Sequence, residues 1–253
     1  MWAAMRARDF LGDVLVVDKG PRDWGGLGGL SGGDGEKYTQ MLSSGKMMCG
    51  TYLNDAIATA LKVSECNACM KRIVAAPTAG ACGVLPAVLV PYVKKYEPEE
   101  EKVLDALYTA AGIGQVIAAR AYIAGASGGC QAEIGTASAM AAGALVALHG
   151  GSEKAIIHAA AMAIKNLLGL VCDPVAGLVE VPCVKRNVVG AMNALSSADM
   201  ALAGIESRIP PDQVIDAMKE VGDQMNSSLK ETGLGGLAGT PFGKEVAENF
   251  LGK

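Results

Sequence analysis

Apolar residues recur at intervals of three and four positions along much of the chain, which is the spacing of an α-helix that buries one face. One such segment spans 51–71, and another follows Pro98, where a run of acidic residues suits a helix N-terminus. No segment alternates apolar and polar residues as a half-buried strand would. We therefore predict an all-α fold, in which residues 1–253 form a single compact helical domain with glycine-rich loops carrying the site. The same spacing predicts four more helices, at 131–148, 153–168, 185–202 and 212–225.

Two uncharged stretches, 73–93 and 134–152, are long enough to be compared with membrane spans. The first is interrupted by prolines and the second consists mainly of Ala, Gly and Ser, so both are predicted to be buried core. A glycine cluster at 23–37 predicts a loop. It contains no dinucleotide-binding fingerprint. The later segment around Gln40 and Met47 lacks the Gly and the Ser or Thr of a phosphate-binding loop.

Composition narrows the class of function. Hydrophobic residues make up 51% of the chain and aromatic residues only 4%, which predicts an interior packed from small aliphatic side chains. The net charge of -4, without a cluster of Lys and Arg, gives no electrostatic footprint for nucleic acid or for an anionic membrane. The N-terminal residues show no signal-peptide pattern, so we expect a cytoplasmic protein.

The chain has seven cysteines, and in a reducing compartment these favour metal binding or catalysis over disulfides. Cys66 and Cys69 form a CxxC pair, but they lie in a helical pattern without a second pair, which favours simple packing. Cys49 and Cys82 are isolated and are interpreted as small buried hydrophobic residues. Cys82 could also line a site, because it follows a Pro-Thr-Ala-Gly loop.

Three cysteines stand apart because they are predicted to lie on loops containing Gly or Pro, with the spacing C-x41-C-x10-C: Cys130, Cys172 and Cys183. The spacing leaves three interpretations open, namely an iron–sulfur cluster, a zinc ion with an open position, or three unrelated buried thiols. A cluster held by three cysteines has one iron free to act as a Lewis acid on a substrate. That chemistry suits the removal of a hydroxyl group as water.

Several long blocks around these cysteines resemble one family of enzymes. The blocks are APTAGACGVLPAVL, SGGCQAEIGTASAMAAGAL, GLVCDPVAGLVEVPCVKRN and ETGLGGLAGTPFGK, and the likeness extends from about Gly26 to the end of the sequence. In order and content they resemble the iron–sulfur-dependent L-serine dehydratases, specifically the alpha, catalytic subunit. The resemblance implies conversion of L-serine to pyruvate and ammonia by a helical domain. Related lyases acting on L-cysteine or L-threonine, and a helical metal-binding protein without activity, are the alternatives.

The resemblance also assigns a cofactor and several residues. It implies a [4Fe–4S] cluster with Cys130, Cys172 and Cys183 as its ligands, and no pyridoxal phosphate. The family's substrate loop corresponds to Pro77–Gly80, so Thr78, Ala79 and Gly80 are expected to contact the serine carboxylate, with Ser127 beside them.

The expected partners are inferred from two differences between this sequence and the family's other members. The sequence has no regulatory domain ahead of the catalytic part and no cysteine after Cys183, so we expect a separate beta subunit and an oligomer. The segment before Gly25 is shorter than in many alpha subunits, and we expect 1–25 to be a truncated or peripheral segment.

Further polar residues are candidates for catalysis and binding. Lys46 and Glu133 are the candidate catalytic groups, although a solvated lysine and an acid at a helix N-terminus are the plainer interpretations. Arg186 could bind a substrate carboxylate in bidentate fashion. Structural roles are expected for His149 and His158. Three more polar residues flank the second and third cysteines: Asp173, Glu180 and Asn187.

Overall fold

The structure is a computed structural model that describes residues 30–251, and its regular structure is helical. Isolated bridge pairs occur in this range but no β-strand, so the all-α prediction is confirmed. Four 3₁₀ helices lie in the connections. Within the described range there are ten α-helices: α1 (Asp34–Leu42), α2 (Thr51–Ala68), α3 (Val84–Tyr96), α4 (Glu100–Arg120), α5 (Gly125–Gly128), α6 (Cys130–Leu148), α7 (Glu153–Lys165), α8 (Cys183–Leu202), α9 (Pro211–Gln224) and α10 (Pro241–Leu251).

Helix α6 is the centre of the fold. All of its residues except Glu133 and Ala147 are buried, because α3, α4, α7 and α8 pack around it. Its Ala, Gly and Ser residues allow these neighbours to approach closely. A methyl group added at Gly143 would overlap Ile113 of α4 and lie 3.4 Å from Ile156 of α7. The prediction of a buried core is therefore confirmed for 134–148 and wrong for 149–152, which form a largely exposed turn after the helix.

Helix α3 begins within the other uncharged stretch, 73–93, and the sequence pattern did not predict it. Its residues from Val84 to Tyr92 are buried, as expected of core. The prediction of buried core is wrong for residues 73–80, which form a half-buried to exposed connection ahead of the helix. Pro86 lies in the first turn, where a helix leaves its N–H groups without intrahelical partners, so this proline is tolerated. Pro91 lies inside the helix. None of the helices in the part of the chain that the structure describes is long and apolar enough to cross a membrane.

Helix ends differ from the sequence prediction by up to three residues. Pro98 lies two residues before α4, which begins at Glu100 and not at the proline. The loop predicted at 23–37 is wrong for its last four residues, which belong to α1, and its residues up to 29 lie outside the described range. Helix α1 begins there because Glu65 Oε1 accepts hydrogen bonds from the N–H groups of Asp34 (2.6 Å) and Gly35 (3.3 Å), a tertiary cap that local sequence does not reveal.

Candidate active site

The three cysteines singled out in the sequence converge in the folded chain. Cys130 and Cys183 are the first residues of α6 and α8, so the prediction that they lie in loops is wrong. Cys172 does lie in a loop, between α7 and α8, and all three side chains are buried. Long helices that begin at Cys130 and Cys183 direct positive N-terminal dipole ends toward these sulfurs, which favours their thiolate forms.

The pKa values of the three thiols are raised by burial and, for Cys172 and Cys183, by the other thiols. Burial raises the pKa of Cys130 to about 12. Burial, and then the nearby Cys130, raise the pKa of Cys183 to about 12. The pKa of Cys172 is raised by burial first and then by Cys130, with further contributions from Cys183 and from two carboxylates, Glu231 and Glu133. The positive charge of Arg186 opposes this rise at Cys130 and Cys183. A bound metal centre takes thiolate ligands, so its binding would release the protons of these thiols.

Glu133 joins the thiols to the Pro-Thr-Ala-Gly loop. It lies in the first turn of α6, and its Oε1 accepts a short hydrogen bond from Thr78 Oγ1. Burial raises the pKa of Glu133, and the hydrogen bond from Thr78 opposes that rise. Gly80 lies against the same carboxylate, because a Cβ atom at this position would be 2.6 Å from Glu133 Oε1. Thr78 and Gly80 therefore lie beside Glu133, in the first turn of the helix that begins at Cys130.

Asn187 fixes the position of this loop relative to Cys183. Its side chain is fully buried, and Oδ1 accepts a hydrogen bond from the N–H of Gly83 at 2.9 Å. Its Nδ2 donates to the carbonyl oxygens of Gly80 at 2.7 Å and Cys183 at 3.0 Å. One amide thus connects the segment from Gly80 to Gly83 with the N-terminal end of α8.

The Cys172 segment is bound on its other side by the chain near residue 230. Cys172 and Lys230 form an isolated parallel bridge, in which the Cys172 N–H donates to Leu229 O at 2.8 Å and the Glu231 N–H donates to Cys172 O at 2.7 Å. A Cβ atom at Gly125 would lie 2.6 Å from Cys172 Sγ and 3.4 Å from Glu231 Oε2. Gly125 therefore leaves the space that this sulfur occupies.

Arg186 holds two of the cysteine-bearing segments together. Its Nη1 donates to Val171 O at 2.7 Å, and its Nη2 lies 2.8 Å from Asp173 Oδ1. The guanidinium also donates a hydrogen bond to the Cys130 side chain. The other oxygen of Asp173 accepts from the Leu237 N–H at 2.8 Å. These protein partners already occupy Arg186, which was predicted to bind a substrate carboxylate.

Glu180 is a buried carboxylate three residues before Cys183. Its Oε2 accepts hydrogen bonds from the N–H groups of Leu30 (3.0 Å) and Ser31 (2.9 Å) and from Ser31 Oγ (3.1 Å). The loop that leads to Cys183 is therefore attached to the first residues that the structure describes.

The remaining candidates lie outside this cluster. Lys46 is exposed in the loop between α1 and α2, Ser127 is exposed on α5, and Ala79 is exposed beside Thr78. No described contact joins Lys46 or Ser127 to the three thiols. His149 meets the Tyr92 hydroxyl through Nδ1, and Nδ1 of His158 accepts from the Ser207 N–H, which confirms structural contacts for both.

The other four cysteines are free thiols. Cys82 is buried as predicted, whereas Cys49 is exposed, so its interpretation as a buried hydrophobic residue is wrong. Cys66 is buried in α2 and Cys69 follows the helix end, with burial raising the pKa of Cys66 to about 12. Neither shows the lowered thiol pKa of a redox pair, which agrees with the packing interpretation.

The residues present fit an iron–sulfur cluster. Sulfur donors from three segments face one buried region, and Gly125 leaves room beside one of them. Among residues 30–250, no group of three or more His, Cys, Asp or Glu side chains is arranged to hold a single metal ion. That finding concerns a single ion, whereas a cluster of several irons takes thiolate ligands that lie further apart.

Sequence comparisons give the family. Residues 26–238 match the family model described as serine dehydratase alpha chain. The chain belongs to this family. All three converging cysteines, Thr78 and Glu133 lie within the matched part of the serine dehydratase alpha chain family.

Relatives share the match over most of the chain. The chain is 51% identical to the "Probable L-serine dehydratase, alpha chain" of Bacillus subtilis (strain 168), over 94% of this chain and 79% of the relative. It is 51% identical to the "L-serine dehydratase, alpha chain" of Peptoniphilus asaccharolyticus, over 87% of this chain and 75% of that one. An L-serine dehydratase of Escherichia coli (strain K12) is 47% identical over 71% of this chain, but the match covers only 40% of that protein.

Proposed function

We propose that this chain is the catalytic alpha chain of an L-serine dehydratase, a lyase that converts L-serine to pyruvate and ammonia. The observation that carries the proposal is the convergence of three buried cysteines with Glu133 and Thr78. Membership of the serine dehydratase alpha chain family supports the substrate. Serine loses a hydroxyl from one carbon and a proton from the next, so the site needs a group for each departure.

Cys130, Cys172 and Cys183 would hold a [4Fe–4S] cluster through their thiolates. When bound, such a cluster supplies a Lewis acid, an iron without a protein ligand, which helps a substrate hydroxyl to leave. The protein contributes burial, which keeps bulk water from the sulfurs, and the N-terminal ends of α6 and α8. Arg186 is proposed to position the loops around Cys130 and Cys172, because its donors are already engaged there.

The loop at 78–80 is proposed to receive the carboxylate of L-serine. The Thr78 hydroxyl is half-buried and adjoins Glu133, so a substrate held there would lie beside a base. Gly80 allows the Glu133 carboxylate to lie close to the loop. The exposed Ala79 leaves the loop open to solvent on one side. Ser127 remains a prediction as a further donor.

Glu133 is proposed as the group that accepts the α proton. Burial raises its pKa, so its carboxylate is a stronger base than that of a surface glutamate. Thr78 fixes one oxygen and leaves the other for the proton. Loss of the α proton and of the hydroxyl group, together one water, gives aminoacrylate, which then takes up one water and releases ammonia to give pyruvate. Lys46 remains a prediction, and its exposed position favours Glu133 in this role.

A beta chain is the proposed partner. Two relatives are themselves named as alpha chains, which supports a second chain in the active assembly. We propose that this assembly works in the cytoplasm, where the three thiols stay reduced.

The proposal is tested by anaerobic purification and reconstitution with iron and sulfide, followed by pyruvate release from L-serine, with and without a candidate beta chain. We expect bound iron and sulfide, absorbance near 400 nm that air bleaches, and pyruvate formation. L-Cysteine and L-threonine in the same assay identify a different lyase. Bound metal without turnover of any of the three, in the presence of the beta chain, would overturn the proposal in favour of a metal-binding protein.

The proton-transfer role has its own test. Glu133→Gln keeps the size of the side chain and removes the base, so kcat should fall by about 10²- to 10⁴-fold while iron content stays the same. An unchanged kcat would assign the base elsewhere.

A further inference from the structure

Glu231 is a carboxylate that reaches the thiol cluster from the C-terminal part of the chain. Its side chain is exposed, whereas the three cysteines are buried, so it lies at the solvent side of the site. No ion pair or side-chain hydrogen bond is formed by its carboxylate with another residue in the range 30–251. It is thus a negative charge without a cationic partner in the described structure.

The backbone of Glu231 is held in a specific place. Its N–H donates to Cys172 O at 2.7 Å, and its φ is 61°, a left-handed conformation that a residue with a long side chain adopts rarely. A strained backbone conformation persists when the surrounding contacts determine it, and such residues are frequent at functional sites. The bridge between Cys172 and Lys230 supplies those contacts.

The side chain of Glu231 points to the same region as the sulfur of Cys172. A Cβ atom at Gly125 would lie 3.4 Å from Glu231 Oε2 and 2.6 Å from Cys172 Sγ, so the oxygen and the sulfur lie no further apart than those two distances together. The carboxylate also contributes to the raised pKa values of Cys183 and Glu133, after burial and other causes. Glu231 therefore lies near Cys172, and its charge acts on Cys183 and Glu133.

We infer that the Glu231 carboxylate binds the α-ammonium group of the amino-acid substrate. The inference rests on the proposed function. A zwitterionic amino acid needs an anion for its ammonium group, and the other carboxylate of the site, Glu133, is already engaged by Thr78. Thr78 and its loop then bind the carboxylate of the substrate, and Glu231 binds its ammonium group.

The test is Glu231→Gln in the anaerobically reconstituted enzyme with its beta chain. We expect KM for L-serine to rise about 10- to 100-fold, as for loss of a charged hydrogen bond, with a smaller change in kcat and with normal iron and sulfide content. Glu231→Asp keeps the charge, and Asp also tolerates the left-handed backbone, so it should restore part of the affinity.

Binding without turnover separates the ammonium from the rest of the substrate. Measured by calorimetry, the dissociation constant for L-alanine should rise in Glu231→Gln, whereas that for propionate, which lacks the ammonium, should not. Glu101→Gln is the matched control, because Glu101 is an exposed acid in the first turn of α4, the end of that helix remote from α5. It should change neither constant.

The outcomes distinguish this inference from the proposed function. A wild-type enzyme that binds no iron and forms no pyruvate contradicts the proposed function, whatever Glu231 does. An active wild type with unchanged KM and unchanged L-alanine binding in Glu231→Gln overturns the ammonium inference alone. A loss of iron in Glu231→Gln, equal loss of L-alanine and propionate binding, or a fall in kcat at constant KM would also overturn it.

Discussion

Arg186 and Asp173 form an almost buried ion pair, with Nη2 and Oδ1 2.8 Å apart. Asp173 follows Cys172 and Arg186 lies one turn after Cys183, so this pair joins the loop and the helix that carry two of the three thiols. A buried pair that loses one partner leaves an uncompensated charge, which is costly in the protein interior.

Arg186→Met should therefore lower the free energy of unfolding by about 3–5 kcal/mol, measured by urea denaturation of the metal-free protein. Lys154→Met is the control, because its ion pair with Glu206 is exposed to solvent and should contribute little to stability. An equal decrease in unfolding free energy in the two variants would mean that the buried Arg186–Asp173 pair stabilises the protein no more than an exposed pair does.

Replacement of Gly125 by alanine should displace Cys172, since the added Cβ would lie 2.6 Å from its sulfur. We expect Gly125→Ala to cost about 1–3 kcal/mol and to reduce iron binding. Gly112→Ala offers a matched control in α4, where nothing lies within 4 Å of the added atom, and it should stabilise the protein by up to about 1 kcal/mol. Full iron binding by Gly125→Ala would show that the Cys172 sulfur can be displaced without loss of bound iron.

Asn187→Ala should remove three hydrogen bonds at once and leave buried backbone groups of Gly80, Gly83 and Cys183 without this partner. Each buried group left unsatisfied costs about 1–3 kcal/mol, so we expect a large loss in thermal or urea stability. Asn166→Ala removes a single exposed hydrogen bond to Asn193 and should cost less than about 1 kcal/mol. A small effect at Asn187 would contradict its assignment as the link between loop and helix.

Single substitutions Cys130→Ala, Cys172→Ala and Cys183→Ala should each abolish or strongly reduce bound iron and sulfide after anaerobic reconstitution. Cys49→Ala removes an exposed thiol and should leave the iron content as in the wild type. Iron content that survives all three site substitutions would remove the basis of the proposed cluster.

The buried Glu65 should make stability depend on pH. Burial raises the pKa of Glu65 above its ordinary value of 4.5, against the opposing hydrogen bonds from Asp34 and Gly35. Because the folded pKa is higher than the unfolded one, its contribution to stability is full below about pH 4.5 and is lost as pH rises through the folded pKa. Glu65→Gln stays neutral and should lack this loss.

The measurement is the difference in unfolding free energy between wild type and Glu65→Gln from pH 4 to pH 8. The wild type should lose stability relative to the variant as pH rises. Glu36→Gln, at an exposed acid of α1, serves as the reference for a surface charge. A difference that stays constant, or that changes in favour of the wild type as pH rises, would show that burial does not raise the pKa of Glu65.

The sequence predicted the helices whose packing face is apolar, and it missed those whose signals come from elsewhere in the fold. Helix α1 begins in a glycine-rich segment because Glu65, which lies in α2, accepts hydrogen bonds from the first N–H groups of α1. Helix α3 contains Pro86 and Pro91, which local rules count against a helix. Burial against α6 outweighs that preference.

The candidate site was likewise predicted only in part, because contacts between distant segments leave no signal in the local sequence. Cysteine identity and family resemblance indicated the three thiols and Thr78, and the fold brings them together with Glu133. Glu231 was not singled out, because its approach to Cys172 depends on a bridge between distant segments. The available signal was the block ETGLGG, in which a glutamate stands before residues typical of a tight turn.

The attachment of Glu180 to Leu30 and Ser31 provides a way to observe the site from a distance. The amide hydrogens of Leu30 and Ser31 are bonded to a carboxylate on the loop that leads to Cys183. Their rates of exchange with deuterium should therefore slow when that loop is fixed by cofactor binding, and they would report assembly of the site in a sample that shows no colour and no turnover.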